Sequence, residues 1–251
     1  MGKVFRLVFE LAFAVMLIMT SVYAAEEEPA DEQNAAISYK LEFKDSETNK
    51  RAYKAEIDLE DPKADGGTLS VHAWPVFVET VTAAKDNAAM LSYAVREGNV
   101  TLDFISGGNK SSAYQGPIGN ATMSYSRAPQ GKVSDIEIDK NMNVLFGKAG
   151  AYAYCWLGLE FPDRELKIGD KWTVKGSDSI TIDYMLSDKG ELGDIKYLKI
   201  NGTITKLVSS LSDARQDVGS IIILFDYPSG EIFKSEVKID GLTMSLVRSW
   251  I

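Results

Sequence analysis

The sequence predicts a mainly β protein of antiparallel sheets, either a sandwich or a half-open barrel, with one or two short helices at most. Three observations lead there. Apolar and polar residues alternate with a period of two along many short segments. Turn residues punctuate the chain at regular intervals, and no long run keeps a helical period. A pair of related hairpins, PQGKVSDIEID at 129–139 and PSGEIFKSEVKID at 228–240, places Ser134, Ile136, Ile138 and Asp139 opposite Ser235, Val237, Ile239 and Asp240. The second copy carries two extra residues between turn and match, and two is the strand period, so Val237 and Ile239 keep the face of Ile136 and Ile138.

In chain order, residues 1–24 read as an export signal: Lys3 and Arg6 at the start, an apolar run from Leu11 to Met19, then Val22-Tyr23-Ala24 as the cleavage site. The run is shorter than the roughly 18 to 20 residues that span a bilayer. Residues 25–36, AEEEPADEQNAA, form an acidic leader with nothing to bury. ISYKLEFKD and the segment from Tyr53 to Leu59 form a first hairpin. TLSVHAWPVFVETV is a strand in which Pro75 marks an edge, a bulge or a bend, because it cannot donate to a ladder. Residues 88–95 and VTLDFI are strands joined by a Gly98-Asn99 turn, and 106–121, rich in Gly, Ser and Asn, is a loop.

MSYSR and VSDIEID flank the first Pro-x-Gly turn. The segment VLFGKAGAYAYCWLGLEF is a short buried helix around 149–157 or a core-crossing stretch, and periodicity leaves both open. DRELKIGDKWTVKG reads as a hairpin through Gly169-Asp170, SITIDYMLS and IKYLKINGTITKLV as long strands, and SSLSDARQDVGS as a loop or one helical turn. Three strands close the chain around the PSG turn. The organisation expected is a first β half at 37–148 and a second at 149–251, related by duplication or by the general likeness of amphipathic hairpins, and packed as one unit.

Composition bounds the function. Loss of residues 1–24 removes two basic residues and one acid, taking the net charge from −9 to −10. That excess of acid argues against nucleic acid and anionic membrane surfaces as partners. The single cysteine, Cys155, permits no internal disulfide and leaves no lipid-anchor cysteine after the signal. The single histidine, His72, removes mechanisms that pair two histidines. No nucleophile elbow, zinc-helix motif, P-loop or dinucleotide fingerprint is present.

The metal candidates are weak. D139-K-N-M-N143 copies the start of a calcium loop but has Val144 where the turn needs Gly and Gly150 where a bidentate Glu belongs. Asp58, Glu60, Asp61 and Asp65 precede Gly66-Gly67 and supply hard oxygens in a turn. No catalytic residue and no cofactor is assigned. Sequons at Asn99, Asn109, Asn120 and Asn201 read as turn residues or as glycan sites, depending on the secretory pathway.

The segment FPDRELKIGDKWTV, through Phe161, Pro162, Ile168, Gly169, Asp170 and Trp172, resembles a segment of exported bacterial proteins of a domain family of unknown function, with support from FDYPSGEI. The resemblance implies a β-rich envelope or secreted domain; many such proteins are lipid-anchored, and this chain lacks the anchor cysteine. The function expected is that of an exported, periplasmic or extracellular, non-enzymatic protein acting in binding or as a structural part of the envelope. A carrier holding a lipid or other apolar ligand in a concave sheet is the alternative, and a glycan hydrolase with paired carboxylates is a third reading.

Overall fold

The computed structural model describes residues 37, 50–64, 66–85, 88–177, 179–209 and 214–249. The chain divides into a unit Met1–Ala35 and a compact unit Ala36–Ile251. The predicted signal and leader lie outside the described residues, as do the strand 38–44 and the turn that follows it.

The described strands are β1 (Lys50–Pro62), β2 (Thr68–Lys85), β3 (Ala88–Ser106), β4 (Asn109–Pro117), β5 (Thr122–Arg127), β6 (Val133–Ile138), β7 (Lys171–Ser177), β8 (Ile180–Leu192), β9 (Ile195–Ser209), β10 (Ala214–Asp226), β11 (Glu231–Ile239) and β12 (Leu242–Ser249). They build one antiparallel sheet in the order β6-β5-β3-β2-β1-β12-β11-β10-β9-β8-β7, with β4 paired to β3 beside the path. Among the described residues this is the chain order, read from β6 back to β1 and then from β12 back to β7, with no pairing between β6 and β7. The sheet is antiparallel and not closed, as in a sandwich or a half-open barrel, and its two halves join across β1 and β12 from Ala52↔Ser249 to Leu59↔Leu242.

The connection between β6 and β7 fills the interior. It comprises α1 (Lys140–Phe146), a 3-10 turn (Gly147–Tyr152) and α2 (Tyr154–Leu157). A sheet of this many strands is too wide for its own side chains to fill. Met142, Leu145, Phe146, Cys155 and Trp156 supply the missing volume, all buried. Phe146 lies 4.8 Å from Trp156 and 6.3 Å from Phe77, whose ring stacks on Tyr93 at 4.6 Å, within the range of favourable aromatic pairs. Beyond α2, Leu159 and Phe161 run along the seam, where Gly158 lies against Gly131 and Val133 of the β6 side and the Trp172 indole of β7 donates to the Glu160 carbonyl at 2.8 Å.

Several elements differ from expectation. Residues 109–117 form a strand, because Gly107 and Gly108 both take positive φ and turn the chain back on β3; every residue but Gly116 is exposed, so no alternation betrayed it. Gly98 is no turn: β3 runs straight through it, opposite Pro75, at the point where the β1–β2 ladder skips Trp74 and Pro75. A Cβ there would stand 2.5 Å from the Trp74 carbonyl, and the β2–β3 register shifts between Val76 and Phe77, the irregularity that Pro75 announced. The segment 163–170 does not pair with β7; Leu166 instead bridges to Ile37, and Asp170 closes a turn by accepting from the Lys167 amide at 3.0 Å and from Arg164 at 2.9 Å. Residues 214–219 belong to β10 rather than to a loop.

The two echoed hairpins also part company. Asp135 takes φ 52, and the β5–β6 register shifts there, so Ser134 is exposed while Ser235 is 1% exposed. Past that bulge the expected phase returns: Ile136 and Ile138 are half-buried, Val237 and Ile239 fully so. The edge position of β6 against the interior position of β11 accounts for the difference in burial.

Candidate functional site

Among the described residues the sequence candidates do not come together. Asp58 and Glu60 point outward from β1 while Asp61 points inward and pairs with Lys63, because adjacent strand positions face opposite ways. Asp65 lies outside the described residues. Among the described residues no group of His, Cys, Asp and Glu converges as metal ligands would. Asp139 is the N-cap of α1: its carboxylate accepts from the Met142 amide at 2.7 Å and from the Thr122 amide and hydroxyl at 2.8 and 2.9 Å. Burial alone would raise its pKa, but these hydrogen bonds outweigh it and hold the carboxyl below its usual value. His72 pairs with Asp58 on the outer face and lies edge-on to Trp74. Cys155 is fully buried.

A different set of residues converges at one end of the sheet. Arg127 of β5 contacts Glu79 of β2 at 3.0 Å, Glu79 contacts Arg51 of β1 at 3.0 Å, and Arg51 contacts Glu231 of β11 at 2.6 Å. Arg248 of β12 continues the chain to Glu231 at 2.7 Å and to Asp226 of β10 at 3.0 Å. Six charges of strictly alternating sign thus cross the sheet from one Pro-x-Gly hairpin to the other. Arg127 stands at the base of the PQG turn and also donates to Tyr125 and to the Leu157 carbonyl. Asp226 and Glu231 flank the PSG turn, and Arg248 reaches its Ser229 at 3.2 Å.

Burial sets the electrostatics. Desolvation alone would raise the pKa of Glu79, but Arg127, Arg51 and the hydroxyl of Tyr125 overcome it and hold the carboxyl below its ordinary value. The guanidinium of Arg51 is raised by the same bargain, burial opposed by Glu79 and Glu231. Burial pushes the phenols of Tyr53, Tyr93 and Tyr125 upward, so they remain neutral donors. Beside this chain lies a cavity of about 30 Å³ bordered by Tyr53, Glu79, Tyr93, Arg127, Trp156 and Ser235, with Leu246 and Phe225 among its apolar walls.

Sequence reading missed these residues, although a signal was there. Arg51, Glu79, Arg127 and Arg248 each occupy the inward phase of their strands, in step with Tyr53, Phe77, Tyr125 and Leu246. A charge in an apolar phase has to be paired or to neutralise.

The fold is one open antiparallel sheet whose core is filled by the β6–β7 crossover and tied at one end by a buried ionic chain. No protein-family model matches the sequence, and no curated protein does. Among solved structures, a Bacteroides fragilis protein with a YmcC-like fold, taken to be exported, aligns over 84% of this chain and 98% of its own at 12% identity and a TM-score of 0.35. A β-barrel-like protein of the domain of unknown function DUF1849 from Brucella abortus aligns over 80% of this chain and 95% of its own, at 8% identity and a TM-score of 0.28. Among the described residues no helix is long and apolar enough to cross a membrane.

Proposed function

We propose that the protein is an exported, non-enzymatic β scaffold that acts through its outer surface, in binding or as a structural part of the cell envelope. The observation that carries this reading is the plug: residues 140–161 occupy the space that a carrier would leave for its ligand. Sites for small organic ligands run to roughly 300 Å³ or more, and the cavity beside the ionic chain offers about a tenth of that. The carboxylates of the ionic chain are each engaged by arginine, and the Glu79 carboxyl is held below its ordinary pKa, opposite to a general acid of a glycan hydrolase.

Room exists instead on the outer face of β8–β11. Two adjoining hollows of about 530 and 340 Å³ share Lys199 and Ile222. Asp183, Asn201 and Thr203 border one, and Tyr197, Lys234 and Glu236 the other. Mixed charge with scattered apolar contact suits a polymeric or protein surface better than an apolar small molecule.

Native mass spectrometry of the exported chain, before and after addition of an envelope lipid extract, tests this. Bare protein in both spectra is the expected result, and a retained acyl lipid would overturn it in favour of a carrier. N-terminal sequencing of the same sample is expected to begin at Ala25; a retained Met1 would remove export by cleavage from the reading.

A further inference from the structure

The cavity beside the ionic chain is lined by more hydrogen-bonding groups than the protein itself satisfies. The Nε of Arg127, the indole N–H of Trp156 and the hydroxyl of Ser235 are buried without a partner among the described residues, in side chains whose residues are 7%, 3% and 1% exposed. A guanidinium N–H and an indole N–H can only donate, and a serine hydroxyl can turn to donate. Leaving each unmet is costly, so three together on one small cavity call for an occupant.

We infer that this cavity binds one small acceptor-only anion, a halide or a short monocarboxylate such as formate. Its size sets the upper limit: about 30 Å³ is the room of roughly two water molecules, which admits such an ion and excludes larger ones. The lining donors set the sign, since a cation would face N–H groups that cannot accept. Acceptors already present are spent elsewhere. Among the described residues Glu79 is the one carboxylate on the cavity wall, and its two oxygens are taken up by Arg51 and by Arg127 with the Tyr125 hydroxyl. Farther along, Glu231 and Asp226 are taken up by Arg51 and Arg248. Leu246 and Phe225 close the remaining wall with apolar surface, where a hydrogen bond to an ion is stronger than in water. This inference stands apart from the surface-binding reading and needs neither export nor a partner.

Isothermal titration calorimetry on the mature chain, dialysed into sodium gluconate and held at constant ionic strength, tests it with chloride, bromide and formate. Saturable binding of one ion per chain is expected for a halide, for formate or for both, and the pattern says which anion the site prefers. Ser235→Ala and Trp156→Phe each remove one donor and leave the shape nearly intact, and each is expected to weaken binding about tenfold. Circular dichroism verifies that the variants fold, and either variant alone suffices. Crystals grown in bromide are expected to show an anomalous peak between Trp156 and Ser235. No saturable heat with any of the three anions, unchanged affinity in both variants, or water alone in the cavity would overturn the inference.

Discussion

Strands β1 and β2 carry two cross-strand polar pairs in the same ladder, Asp58 opposite His72 and Arg51 opposite Glu79. The pairs stand an odd number of positions apart, so one faces out and the other in. Outside, the Asp58 and His72 side chains are 56% and 39% exposed; inside, those of Arg51 and Glu79 are 18% and 4% exposed. Water screens the first pair and replaces either partner when it is lost. The second pair has no such substitute, and each of its members is bound again by a further charge, Glu231 or Arg127. A cross-strand polar pair on one hairpin thus has a surface role in one phase and a structural role in the other.

Substitutions should separate the two phases widely. Glu79→Gln leaves Arg127 in the interior without its carboxylate partner while Arg51 keeps Glu231, and removal of one partner of a buried pair typically costs about 3 to 5 kcal/mol; urea unfolding of the variant is expected to show a loss of that size. Gly131→Ala is expected to cost about 2 to 5 kcal/mol, since its φ is 91° and a Cβ would lie 1.8 Å from the Leu159 carbonyl, unseating the crossover from the PQG turn. A thermal scan reads this directly.

Two smaller effects follow. Asp139→Ala removes the cap of α1 and should cost about 1 kcal/mol in the same unfolding assay. Asp58→Asn, the surface counterpart of Glu79→Gln, should cost well under 1 kcal/mol, and a loss near that of Glu79→Gln would erase the contrast between phases.

Stability against pH sharpens the same contrast. The Glu79 pKa is lowered from its ordinary 4.5 in the folded protein, so its contribution is present above about 4.5 and declines as pH falls through the lowered folded value. The buried phenols are raised from 10.0, so their contribution is complete below 10 and declines as pH rises beyond it. A plateau between those limits is expected, and Glu79→Gln should flatten the acid limb.

Most of the sheet was legible because alternation reports directly on a half-buried strand: Tyr53 to Leu59, Ile180 to Leu186 and Val237 to Ile239 all carry it. Strand β4 was not legible, since an arm exposed on nearly every residue has no apolar phase to reveal it. Helix α1 hid behind the Asp139 motif, where a capping aspartate and a calcium ligand begin alike. The ionic chain escaped for another reason. Each charge was visible in an inward phase, but which strands the sheet brings together, and so which charge meets which, depends on the join across β1 and β12. The echo of PQG and PSG likewise has a spatial meaning that spacing could not supply: the hairpins mark the two ends of the buried chain of charges.

The most direct test of that chain is a double-mutant cycle on Glu79 and Arg127, with Glu79→Gln, Arg127→Met and the pair compared by urea unfolding. Strong coupling is predicted, with each single change costing about 3 to 5 kcal/mol and the double change costing far less than the two added together. Single losses below about 1 kcal/mol that simply add, as for independent surface charges, would contradict the account.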